Sequence, residues 1–112
     1  MKYLLTGHTA GIGKEIYQQL EGNVIGVSRS TGHDISTQLG RNLIVELGEE
    51  CDVLINNAAD DGIGQTELLH RFYAAYSTQE KIVINVGSRV SEVDLPPEYS
   101  FLQEYQYWKQ RL

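Results

Sequence analysis

Short apolar runs alternate with stretches in which apolar residues recur every three or four positions, beginning almost at the first residue. Lys2 to Leu5 is a compact run stopped by Thr6 and Gly7, the form of a buried strand. Ile12, Ile16 and Leu20 then return at i, i+4 and i+8, which predicts one apolar stripe on a helix that stops at Gly22. Val24 to Val27 reads as a second strand. Leu39, Leu43 and Leu47 mark a second helix ending near Gly48, and Asp52 to Ile55 a third strand closed by Asn56 and Asn57. Leu68, Leu69, Phe72, Ala75 and Tyr76 form a third helical stripe, and Lys81 to Val86 a fourth strand ending in Gly87 and Ser88. Pro96 and Pro97 stop whatever precedes them. Ser100 followed by Gln103 matches a capping box, so a last helix is expected from near Phe101 to the end.

Strands and helices taken in turn predict an α/β protein: an open parallel sheet, Rossmann-like, with three α/β/α layers. All four strands are continuous apolar runs, so each is expected to be buried on both faces. No repeat, low-complexity tract or linker divides the chain, and residues 1–112 read as a single dinucleotide-binding domain.

Composition narrows the function classes. The chain is 41% apolar and 21% charged, as expected of a folded domain rather than a disordered one. Its formal net charge of -6 repels nucleic-acid phosphates and anionic lipid, and no local basic run reverses that. Cys51 is the one cysteine, so no intrachain disulfide forms and a reducing, cytoplasmic setting is expected. No apolar run has the length of a membrane span. His8, His33 and His70 show no ligand spacing with Cys51 or a carboxylate, so no metal is expected.

The stretch TGHTAGIGKE, residues 6–15, carries the candidate chemistry. It is not a Walker turn: five residues rather than four separate Gly7 from Gly13, and Glu15 stands where the magnesium-binding hydroxyl belongs. A dinucleotide turn has different needs, namely a strand before it, a helix after it, and glycines where backbone approaches pyrophosphate and where helix packs on strand. Gly7, Gly11 and Gly13 meet them, and a helix N-terminus would present free N–H groups to the phosphates. The rival reading of these glycines alone is a turn that binds nothing.

Four pieces in order tilt the balance: TGxxxGIG from Thr6 to Gly13, NNAA from Asn56 to Ala59, Ser88 after a strand, and YxxxK from Tyr105 to Lys109. Together they resemble the short-chain dehydrogenase/reductase family over nearly the whole chain. The resemblance implies an oxidoreductase that moves a hydride between a nicotinamide cofactor and a small carbonyl or alcohol. It assigns cofactor contacts to Thr6, Gly7, Thr9, Gly11, Ile12, Gly13, Asn57 and Ala58, and catalysis to Ser88, Tyr105 and Lys109, the last two also holding cofactor. Ala59 stands where the family has its final glycine.

Elementary chemistry agrees with those roles. Tyr105 and Lys109 at i, i+4 share a helix face, their Cβ atoms about 6 Å apart. A phenol with a pKa of about 10 needs roughly 4 kcal/mol of charge stabilisation to act as a base near neutrality, which a neighbouring ammonium helps to supply. Ser28, Arg29 and Ser30 follow the second strand without the acid that bonds a ribose 2′-hydroxyl, so NADP is the expected cofactor and NAD the alternative. Asp34 with Ile35 resembles the family's pair that bonds the adenine amino group, with a turn or cap aspartate as the rival reading.

The chain also departs from the family. It ends three residues after Lys109, which reads as a C-terminally truncated member lacking the substrate-covering segment. Arg29 to Asp34 leaves no room for the usual helix and most of a strand, and Thr66 to Gln79 contains no Asn for the family's proton relay. Family helices corresponding to 66–79 and 101–112 form a dimer interface, so a homodimer through them is expected. The rival function is a cofactor-binding or assembly module without turnover.

Overall fold

The computed structural model describes residues 1–59 and 62–87. The elements run β1 Tyr3–Thr6, α1 Gly11–Gln19, β2 Val24–Val27, α2 Gln38–Leu47, β3 Val53–Asn56, α3 Ile63–Tyr76 and β4 Ile82–Asn85, with single 3₁₀ turns at Arg29–Thr31 and Gly48–Glu50. The strands form one parallel sheet in the order β2-β1-β3-β4. Tyr3 pairs with Val24 on one side and Val53 on the other, and Val53 with Ile82. This is the expected Rossmann-like α/β architecture.

Alternation along the central strands feeds two cores. Leu4 and Leu54 point to one face and pack with Ile44 of α2 and Leu68, Phe72 and Tyr76 of α3. Leu5, Val53 and Ile55 point to the other, where Ile16 of α1 and Leu20 at its C-cap cover them. Gly48 closes the first core, because a Cβ there would strike the Phe72 ring.

Three details differ from the periodicity. Ile12 is 64% exposed, and the inner face of α1 is Gly13, Ile16 and Leu20 instead. Leu39 is 69% exposed, while Gly40, Ile44 and Leu47 face inward. In both helices a glycine sets the phase: a Cβ on Gly13 would overlap the Gly7 carbonyl, and one on Gly40 the Asp34 backbone. Ala75 is likewise exposed, the buried line of α3 being Gln65, Leu68, Phe72 and Tyr76.

The expectation that every strand is buried on both faces holds for β3 but not for β4. There Ile82 is 50% and Ile84 48% exposed, because β4 has a strand on one side only among the described residues and Ile16 and Leu20 pack over β1 and β3 rather than β4. Among the described residues no helix is long and apolar enough to cross a membrane.

Candidate functional site

Between β1 and β3 the strand order reverses, and a crevice opens beyond the carboxyl ends of such strands. Here the loops after β1, β2 and β3 enclose a cleft of about 620 Å³, a volume in the range of ligand sites. Gly7, Thr9, Ser28, Arg29, Asp34, Asn57 and Ala58, seven of the residues singled out in the sequence, line it.

Each loop is shaped by a different device. Gly7 takes the left-handed φ of +72°, and its N–H donates to the Val27 carbonyl at 2.8 Å, which ties the turn to β2. A Cβ on Gly7 would lie 3.1 Å from Cα of Ala58 and from Nδ2 of Asn57, filling the gap between the two loops. Ala10 caps α1 without a side-chain hydrogen bond, so the first-turn amides of this nine-residue helix have no capping oxygen. Bare backbone and an uncapped helix start suit an anionic pyrophosphate.

Thr6, Gly11, Ile12 and Gly13 stand outside the cleft wall. Thr6 is 1% exposed, behind the turn, where its Oγ1 accepts from the N–H groups of Asn57 at 3.0 Å and Ala58 at 2.9 Å. Asn57 answers through Nδ2, which donates to the carbonyls of Thr6 at 3.1 Å and Gly7 at 3.3 Å. Gly13 lies against the Gly7 carbonyl as the close-packing glycine between helix and strand.

The β2 loop closes on itself. Thr31 Oγ1 accepts from the Ser28 N–H at 2.9 Å, while the amides of Thr31 and His33 donate to the Ser28 carbonyl at 3.1 and 2.9 Å. The Arg29 side chain remains exposed, and no acidic residue occurs between β2 and Asp34. Asp34 Oδ1 accepts from the Ser36 hydroxyl at 2.7 Å and the Ser36 amide at 3.0 Å. The Ser36 hydroxyl, then its amide, hold the Asp34 carboxyl below the usual carboxylate range against some desolvation, with the Arg29 charge helping.

Sequence reasoning missed part of the wall. His33, Ser36 and Ala10 also line the cleft, beside Ile35 and Ala59 noted in the sequence, and the one signal of the first three was their place in the loops beyond strand ends. A buried amide network was missed too. Gln65 Nε2 donates to the carbonyls of Asn56 at 2.7 Å and Val86 at 3.1 Å, clamping the ends of β3 and β4. Asn56 Nδ2 donates to the Gln65 carbonyl at 3.0 Å and to Asn85 Oδ1 at 3.1 Å. Ser88, Tyr105, Lys109 and the helix expected from Phe101 lie outside the described residues.

No protein-family model and no curated protein matches the chain. Among solved structures, the crystal structure of a small-chain dehydrogenase in complex with NADPH matches with a TM-score of 0.72 over 99% of this chain, at 22% identity. The chain spans 59% of that protein's length. At this identity the likeness establishes the fold, and the chain is a Rossmann-like α/β protein whose sheet carries its cleft at the strand-order reversal.

Proposed function

We propose that the cleft binds NADP(H) and that the chain is an oxidoreductase resembling the short-chain dehydrogenases, acting on a small carbonyl or alcohol. The observation that carries the reading is the composition of the cleft: a left-handed glycine turn at one end, and Ser28, Arg29 and Ser30 without an acid at the other. Gly7 and the first turn of α1 would hold the pyrophosphate. Arg29 with the two serines would hold the 2′-phosphate, and Asp34 the adenine amino group. Thr6 and Asn57 keep the turn in shape from behind.

When bound, the nicotinamide supplies or accepts the hydride. The protein's part is to handle the proton: Tyr105 gives it to or takes it from the substrate oxygen, Ser88 orients that oxygen, and Lys109 favours the phenolate. These roles rest on the Ser, YxxxK and glycine-turn resemblance. The neighbour's complex with NADPH supports the choice of cofactor. A homodimer through the helices near 66–79 and 101–112 belongs to the same proposal, and the exposed Tyr73 ring on α3 supports it.

Fluorescence titration with NADPH and NADH tests binding. Turnover of a carbonyl panel by the wild type and by Tyr105→Phe then tests catalysis. Binding with turnover abolished by the substitution is the expected result. Binding with no turnover in either protein would leave a cofactor-binding module, and no binding of either dinucleotide would refute the proposal.

A further inference from the structure

We propose that His33 is a second cation for the 2′-phosphate end of the cleft, so that preference for NADP(H) over NAD(H) is set jointly by Arg29 and a protonated His33. The inference rests on the dinucleotide reading above and adds a specificity-determining residue to it.

His33 lines the cleft beside Ser28, Arg29 and Ser30, and the loop fixes its position. Gly32 turns the chain with a φ of +84°, and the His33 amide donates to the Ser28 carbonyl at 2.9 Å. The ring is then oriented through Nδ1, which lies 2.8 Å from Thr31 Oγ1. Among the described residues no partner engages Nε2, the ring nitrogen left for a ligand.

With an anion placed at Nε2, the form of the ring that fits follows from counting protons on Thr31. Its hydroxyl accepts from the Ser28 amide, and its single proton has two acceptors, the Ser28 carbonyl at 2.9 Å and His33 Nδ1 at 2.8 Å. A neutral ring with its proton on Nδ1 keeps both contacts but turns a bare Nε2 lone pair toward an anion. A neutral ring with its proton on Nε2 can donate to the anion but draws the Thr31 proton away from the Ser28 carbonyl. Only the imidazolium makes every bond at once: Thr31 to the Ser28 carbonyl, Nδ1–H to Thr31, and Nε2–H to a phosphate oxygen.

The other charged groups that line the cleft, among the described residues, are Arg29 and Asp34. The Asp34 carboxylate is half committed to Ser36. From α2, Arg41 is directed elsewhere, donating to the Ile35 carbonyl at 2.8 Å. A dianionic 2′-phosphate accepting from Nε2 favours the doubly protonated ring, which alone donates from both nitrogens. NADH, with a hydroxyl in that place, does not.

The test measures Kd for NADPH and NADH at pH 6.5 and 8.5 with the wild type and His33→Gln. The free ligand's phosphate, whose second pKa is about 6, titrates alike in both measurements and cancels in the comparison. The substitution should weaken NADPH about fivefold at pH 6.5, have little effect at pH 8.5, and leave NADH unchanged at both. Calorimetry of the wild type at pH 7.5 in two buffers of different ionisation enthalpy gives an independent readout: proton uptake with NADPH and none with NADH. Identical pH profiles for the two proteins, equal losses for both dinucleotides, or no proton uptake would overturn the role of His33 while leaving the cleft a dinucleotide site. Failure of the wild type to bind either dinucleotide would overturn both.

Discussion

The Asn57 side chain on the β3 loop donates through Nδ2 to the Gly7 carbonyl on the β1 loop at 3.3 Å, and the same carbonyl is the surface on which Gly13 of α1 rests. The curvature of the glycine turn is therefore imposed by the neighbouring strand and the following helix as well as by local conformation. A side chain added at the contact should cost more than one added elsewhere in the turn.

Gly13→Ala drives a Cβ into the Gly7 carbonyl oxygen and toward Asn57 Nδ2. Overpacking of this kind costs about 1–3 kcal/mol, or roughly 5–15 °C in Tm for a chain of this size. Gly11→Ala is the comparison, because Gly11 has a φ of +55° but nothing near its Cβ position, and only the backbone cost of about 1 kcal/mol applies. Thermal denaturation of the two variants should separate them, and equal losses would contradict the contact.

Thr6 offers a second test of the same scaffold. Thr6→Val keeps the shape but sets a methyl against the N–H groups of Asn57 and Ala58 that its oxygen now satisfies. The expected loss is about 1–3 kcal/mol, while Thr6→Ser, which keeps the oxygen, should lose less than about 1.5 kcal/mol. Urea unfolding midpoints check the order of the two variants.

Asp34 predicts a feature of the acid limb of the stability curve. Its carboxyl is held low in the folded state, mainly by the Ser36 hydroxyl. A group with a depressed folded pKa stabilises fully above its unfolded value, and the contribution disappears as pH falls through the folded one. The wild type should therefore lose this contribution only well into the acid range. Ser36→Ala should raise the Asp34 midpoint in a carboxyl-carbon NMR titration and make the loss of stability with acid shallower.

Most of the architecture was legible because a buried parallel sheet needs uninterrupted apolar strands, and Tyr3–Thr6, Val24–Val27 and Val53–Asn56 supply them between helical stripes. The phase of the helices was less legible. Ile12 and Leu39 fit a stripe by hydrophobicity, but Gly13 and Gly40 approach backbone so closely that the helices rotate to serve the glycines. Both contacts span six residues and depend on how the chain turns between them, which the spacing of apolar residues does not report.

The glycine turn and Arg29 were readable from residue type alone. His33 was not, because its place in the cleft depends on a loop closed by Ser28, Thr31 and Gly32. Gln65 was hidden for a similar reason: a buried glutamine has meaning only through the carbonyls of Asn56 and Val86 that it joins.

Arg29 should dominate discrimination between the two dinucleotides. Arg29→Ala is expected to weaken NADPH by about 10-fold or more and NADH by less than about 2-fold, since a charge-assisted contact to phosphate contributes about 1.5–3 kcal/mol. Parallel fluorescence titrations of the variant check the split, and equal weakening would assign Arg29 a general rather than a discriminating part.

Isothermal titration of the wild-type protein with NADPH, and separately with NADH, bears most directly on the whole account. One site per chain with NADPH bound at least about tenfold more tightly is the predicted outcome, because the cleft offers a cation and hydroxyls but no acid where the two ligands differ. Absence of binding heat and of any melting shift with either dinucleotide would contradict it.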